Sequence, residues 1–298
     1  MMGEGDPMTT RILFATDGLP PARAAGLLLR RLVVPDRVEV SILTAVDDLR
    51  ADTSNGGAQT ILDEEQQDMV DAGIVCETRT DQGEPAAVID RALDGEDFGL
   101  VVVGAGKHPW LQRFVFGTVT THLLNVVAVP LLVVHRGGAD TTAPVRTVVG
   151  VDGSASADHA LDSLISLTSP ERASIEVRSI VEMPVIPMTG LGHAPAFTSS
   201  RDVQRVIDHR RNAAEARVKS AAERLRDAGF EAAHTVVDGA AAIDLVDHAT
   251  RVGADLVSVG ARGLGPIGRL TVGSVSAHVA RNAPATLVVR LPHGFDEG

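Results

Sequence analysis

The chain is one domain written twice. Residues 11–18 (RILFATDG) and 147–154 (TVVGVDGS) are both apolar runs rich in β-branched residues that lead into Asp-Gly. Downstream, Asp71-Ala72-Gly73 returns as Asp227-Ala228-Gly229. Gly83 likewise returns as Gly239, Gly104 as Gly260, Gly117 as Gly273 and His122 as His278, each at a separation of 156 residues. The opening pair, Asp17 and Asp152, is only 135 apart, so the second copy has gained about 21 residues early on. The extra length fits the Pro- and Gly-containing stretch from Glu182 to about Arg201. A repeat near 150 residues is too long for a solenoid unit but is domain-sized. Residues 135–144 (HRGGADTTAP) have linker composition. We read copy one as 8–136 and copy two as 145–292.

Within each copy, short Val/Ile/Leu runs alternate with helical patterns. The runs lie at 12–15, 38–45, 74–78, 100–103 and 131–134, and again at 147–151, 175–181, 232–237, 255–259 and 285–290. Val203, Val206, Ile207, Ala214, Val218 and Leu225 mark one face of a long helix, with Gly229 just past its end as a C′ glycine. Leu161, Leu164 and Ile165 mark a shorter helix, for which Ser156 is the expected N-cap. Near-continuous apolar strands alternating with helices predict an α/β fold: two tandem doubly wound parallel sheets. Ligands of such sheets bind beyond the strands' carboxyl ends, where strand order reverses.

After the fourth run of copy two comes GARGLGPIGRLTVGSVSAH, in which Gly260, Gly263, Gly273 and Ser274 are spaced G-x2-G-x9-G-S. Glycines let successive backbone N–H groups converge on phosphate oxygens. Gly273-Ser274 opens the final helix, whose positive dipole end favours an anion, and the hydroxyls of Ser274 and Ser276 are expected to add donors. A glycine loop serving chain geometry alone is the alternative reading. Its place after a buried strand favours phosphate.

In these residues the chain resembles the universal stress proteins, whose ATP-binding motif has this spacing, and residues 149–154 (VGVDGS) are similar to the family's opening strand. The resemblance covers nearly the whole chain as a tandem pair. It implies five-stranded sheets of the adenine nucleotide alpha-hydrolase-like type, order 3-2-1-4-5, and ATP with Mg²⁺ as ligands. By that analogy Asp152, with Gly150 just before it, faces ribose and adenine, Ile180 and Val181 border the base, and Gly260, Gly263, Gly273 and Ser274 hold the phosphates. Gly153, Ser154, Ala261, Gly265, Val275 and Ser276 are counted in the same site, as is Arg262, for which phosphate, a partner chain and solvent are equal readings. The matching positions of copy one are Ala15, Asp17, Gly18, Gly104, Ala105, Gly106, Lys107, Gly117, Thr118 and Val119.

Copy one departs from the pattern. Lys107 stands where the second glycine belongs, and Leu19-Pro20-Pro21 follows Asp17-Gly18 in place of the serine. Either Gly106 supplies the freedom and Lys107 reaches a phosphate, or the lysine blocks the approach and the site is weak or empty. The string Gly104-Ala105-Gly106-Lys107 is not a P-loop, because Val101 stands where the leading glycine is required and His108 follows the lysine.

Composition narrows the remaining classes. A net charge of −12 argues against nucleic acid as partner. The single cysteine, Cys76, excludes an internal disulfide framework. The most apolar stretch, Val126 to Val134, is too short to span a membrane, and the acidic N-terminus lacks a signal's basic region, so a cytoplasmic location is expected. His122 and His278 read as helix-packing or surface residues rather than catalytic ones. The last strands, 131–134 and 287–289, would be sheet edges that need covering. They can pair with each other inside the chain as a pseudo-dimer, or between chains in a homodimer. The sequence thus reads as an ATP-binding regulator of stress response or growth acting on an unidentified protein partner. An ATP-hydrolysing enzyme of the same fold and a nucleotide-free interaction module are the alternatives. No residue in the loops obviously orients a water for hydrolysis.

Overall fold

The computed structural model describes residues 9–46, 51–105, 117–136, 141–183, 200–263 and 272–290. Copy one contains β1 (Thr10–Ala15), α1 (Pro20–Leu32), β2 (Val38–Val46), α2 (Ala51–Asp71), β3 (Val75–Gln82), α3 (Pro85–Gly95), β4 (Leu100–Gly104), α4 (Thr118–Val126) and β5 (Leu131–Val134). Copy two repeats this as β6 (Val145–Gly150), α5 (Ala155–Leu167), β7 (Ala173–Val181), α6 (Ser200–Asp227), β8 (Ala232–Asp238), α7 (Ala241–Val252), β9 (Leu256–Gly260), α8 (Ser274–Asn282) and β10 (Ala285–Val289).

All ten strands form one sheet of order β3-β2-β1-β4-β5-β10-β9-β6-β7-β8. Each half has the expected 3-2-1-4-5 order and is parallel throughout. The halves meet where β5 and β10 pair antiparallel, Leu132 opposite Leu287 and Val134 opposite Ala285. The two apolar last strands therefore cover each other, and every residue of both is buried. The true edges are β3 and β8, neither of which has a fully buried residue and which carry most of the exposed strand positions. Backbone contacts extend the seam: the Val34 amide donates to the Leu167 carbonyl at 3.0 Å, and the Arg172 guanidinium to the Arg30 carbonyl at 3.0 Å.

Alternation along the strands divides the core in two. Ile12, Phe14, Val149 and Val177 pack under α1, α2, α5 and α6, whereas Leu13, Val101, Val148 and Val257 pack under α3, α4, α7 and α8. The insertion in copy two has two parts. The β7–α6 connection has 18 residues against four between β2 and α2, and α6 is 28 residues long against 21 for α2. Gly229 closes α6 with φ +89°, as its position predicts. The cap of α5 differs from expectation. Ser154, not Ser156, is the N-cap, accepting the Ala157 amide, because the helix starts directly after the Asp-Gly turn.

Candidate functional site

In copy two β6 lies between β7 and β9, and the connections leaving β6 and β9 go to opposite faces of the sheet. A cleft of about 510 Å³ opens there, at the carboxyl ends of the strands. Its frame is held by hydroxyl groups. Asp152 Oδ1 accepts from the Ser154 amide at 2.9 Å and the Ser154 hydroxyl at 2.6 Å, which fixes the carboxylate beside the start of α5 and leaves Oδ2 to the cleft. The Ser154 and Ser156 hydroxyls also lie 3.0 and 2.5 Å from the Arg262 carbonyl, tying the glycine loop to that helix. The Ser276 hydroxyl, buried, donates to the Gly260 carbonyl at 2.6 Å. The expected phosphate donor role of that hydroxyl is thereby corrected: its proton is spent on the frame, and only its backbone amide remains available.

Three glycines leave room that a side chain would fill. A Cβ on Gly260 would lie 2.5 Å from Ser156 Oγ, so the loop and α5 approach backbone to backbone. On Gly263 it would lie 2.5 Å from Asp152 Oδ2, which closes the cleft at that point. On Gly273 the nearest neighbour is the Ala261 carbonyl at 3.3 Å. That carbonyl accepts the Gly273 amide at 2.8 Å, while the Ala261 amide donates to Val289. Gly273 is the N-cap of α8 and no side chain caps the helix. The first-turn amides of Ser274, Val275 and Ser276 therefore lack intrahelical acceptors where these residues line the cleft.

Sequence reasoning named Arg262 but missed the cleft's other cations. Among the described residues Arg178, Arg210, Arg217 and Arg262 line it against two carboxylates, Asp152 and Glu182. Arg178 is 8% exposed and lies within 3.4 Å of Glu176 and 3.5 Å of His248, whose Nε2 is 2.9 Å from Glu176 Oε2. Strand alternation explains a second correction. Ile180 and Glu182 line the cleft, but Val181, expected beside Ile180, is buried and is not among the lining residues. Gly150 and Leu245 complete the floor.

Copy one keeps the backbone frame. Asp17 Oδ1 accepts the Leu19 amide at 3.0 Å, Gly104 packs on the first turn of α1, the Ala105 amide donates to Val134, and Gly117 caps α4 ahead of Thr118 and Val119. Its side chains are different. Ala15 pairs with Leu43 where Gly150 pairs with Arg178. Gly18 and Gly153 both have positive φ, and Ile61 covers the first while Arg217 covers the second. Setting the copies against each other at offsets of 135 and 156 would have exposed both arginines in the sequence, since each replaces an aliphatic residue. Gly106, Lys107, Trp110 and Gly265 lie outside the described residues. His122 bonds Asp90 at 2.7 Å between α4 and α3, in keeping with a packing role.

The model of the universal stress protein family matches residues 8–135 and again 145–290. The chain belongs to the universal stress protein family. Among relatives, the universal stress protein YxiE of Bacillus subtilis (strain 168) is 24% identical over 151 residues, 48% of this chain and 97% of its own. A universal stress protein of Archaeoglobus fulgidus DSM 4304 superposes with a TM-score of 0.62 at 18% identity, covering 94% of this chain and 98% of that one. A protein of unknown function from Pseudomonas aeruginosa PAO1 does so with a TM-score of 0.59 at 15% identity, covering 95% and 92%. These similarities establish a tandem universal stress fold. Among the described residues no helix is long and apolar enough to cross a membrane.

Proposed function

We propose that copy two binds ATP and that this universal stress protein is a nucleotide-dependent regulator. The observation that carries the reading is the pairing of Asp152 Oδ2 with the bare face of Gly263, beside the uncapped first turn of α8. A carboxylate accepts from sugar hydroxyls, and converging amides at a helix N-terminus donate to phosphate oxygens. Ile180 and Leu245 offer an apolar surface for a base, and the surplus of arginine favours a polyanion in an acidic protein. The described residues hold no cluster of three metal-ligating side chains. Mg²⁺ would arrive on the phosphates and neutralise part of their charge, with Asp152 and Glu182 as the carboxylates lining the cleft.

Copy one supports a scaffold role in this reading. Leu43 and Ile61 stand where Arg178 and Arg217 serve copy two. Nucleotide occupancy would then bias a surface recognised by a protein partner, which requires different affinities for two states. Calorimetric titration with ATP, with and without Mg²⁺, tests the proposal. One site per chain is expected, lost in Asp152→Ala. Absence of heat and of competition with any adenine nucleotide would refute it.

A further inference from the structure

The arginines of α6 are of two kinds. Arg211 pairs with Asp238, and Arg224 with Asp158 and Asp162. Arg210 and Arg217, which line the cleft, have no carboxylate partner among the described residues. Arg210 donates to the Glu182 carbonyl at 3.0 Å, and the end of the Arg217 side chain occupies the space that a side chain on Gly153 would fill. Seven residues apart, they lie on one face of the helix, about 10 Å along its axis. The same helix in copy one carries Ile61 in the seat of Arg217.

These two cations are not on the phosphate side of the cleft. α6 packs with α5 on one face of the sheet, and α8, whose first turn faces the glycine loop, packs on the other. A linear phosphate chain on α8 satisfies one wall and leaves the α6 wall unmatched. Between the walls lies the Asp152-Gly153 turn, where the ATP reading above puts the sugar. Arg217 touches that turn directly. A guanidinium without a carboxylate partner, at the edge of a cleft and beside a sugar position, is matched by a second anionic group on the sugar.

We infer, on the basis of that nucleotide reading, that the α6 wall is a second anion subsite. The ligand it selects is an adenine nucleotide bearing a 2′- or 3′-phosphate in addition to its 5′-phosphates. Arg217 holds that group and Arg210 supplies the longer-range charge. Arg178 remains at the floor, committed to Glu176 and His248.

The test is competition binding by the full chain at fixed ionic strength, with AMP, adenosine 2′,5′-bisphosphate and adenosine 3′,5′-bisphosphate as probes. One bisphosphate is expected to bind about tenfold tighter than AMP, the worth of one charge-assisted contact. In Arg217→Ile, which installs the copy-one residue, the ratio of the two Kd values falls to near one. Arg217→Gln gives the same readout should the isoleucine variant not fold. Equal affinities in the unmodified protein, or a preference that survives both substitutions, overturn the second subsite while leaving ATP binding intact. Failure of AMP, ATP and both bisphosphates to bind overturns the subsite and the nucleotide reading together.

Discussion

The carboxylate of Asp152 stands where a side chain on Gly263 would go: a methyl built there lies 2.5 Å from Oδ2. Gly263→Ala is therefore predicted to turn the Asp152 side chain aside. Because the group displaced is the end of a side chain, stability should change by less than about 0.5 kcal/mol. ATP affinity should fall about tenfold, roughly the worth of one hydrogen bond to a charged group. Paired thermal unfolding and calorimetry check both halves of this prediction, and unchanged affinity would remove Gly263 from the site.

The two copies offer an internal control. Gly117 and Gly273 both cap the last helix with extended backbone. Gly273→Val is expected to reduce ATP binding at least about tenfold, by crowding the loop carbonyls and the first-turn amides. Gly117→Val should leave the ATP isotherm unchanged. Equal losses from the two substitutions would make copy one a second working site.

Beneath the cleft, Glu176, Arg178 and His248 form a cluster that copy one lacks, its corresponding residues being Ser41, Leu43 and Ala92. Arg178→Leu alone leaves Glu176 with His248 as its remaining partner in the cluster, and is predicted to cost about 1–3 kcal/mol in urea unfolding. Installing Ser, Leu and Ala at all three positions should recover most of that loss, as expected of coupled neighbours. Additive losses would contradict the coupling.

Copy one carries its own buried charge. Glu65 fills the space above Gly26, whereas copy two fills the matching space with Leu161 over Ala221. Burial pushes the Glu65 carboxyl up to about 7, with Asp68 and Glu64 adding to the rise and Arg30 and Arg23 opposing it. The folded value lies above the unfolded one near 4.5, so the unfolded chain loses this proton first. The site's contribution to stability is full below about 4.5, falls as pH rises, and is gone above about 7. Glu65→Gln should flatten that slope and gain about 1–3 kcal/mol at pH 8. Thermal unfolding at pH 5, 6, 7 and 8 measures it, and a variant with the parent's slope would contradict the assignment.

Backbone features of the site were legible in the sequence because glycine spacing and the Asp-Gly turn report the path of the main chain. The β5–β10 seam was legible because two apolar strands at sheet edges need partners. What stayed hidden was set by side-chain direction. Ile180 and Val181 look equivalent in a strand of apolar residues, yet the period of two sends only the first into the cleft. Arg210 and Arg217 look like solvated positions on a polar helix until α6 is seen to stand beside the Asp152-Gly153 turn. Ser276 has the residue type of a phosphate donor, and only the position of the Gly260 carbonyl reveals where its proton goes.

The central claim is that copy two holds an adenine nucleotide and copy one does not. Acid denaturation of the purified protein, followed by chromatography of the released nucleotide against protein concentration, tests it most directly. About one adenine nucleotide per chain, after saturation with ATP and Mg²⁺ and removal of the excess, is the predicted result. About two would contradict the scaffold role of copy one, and none would contradict the nucleotide site itself.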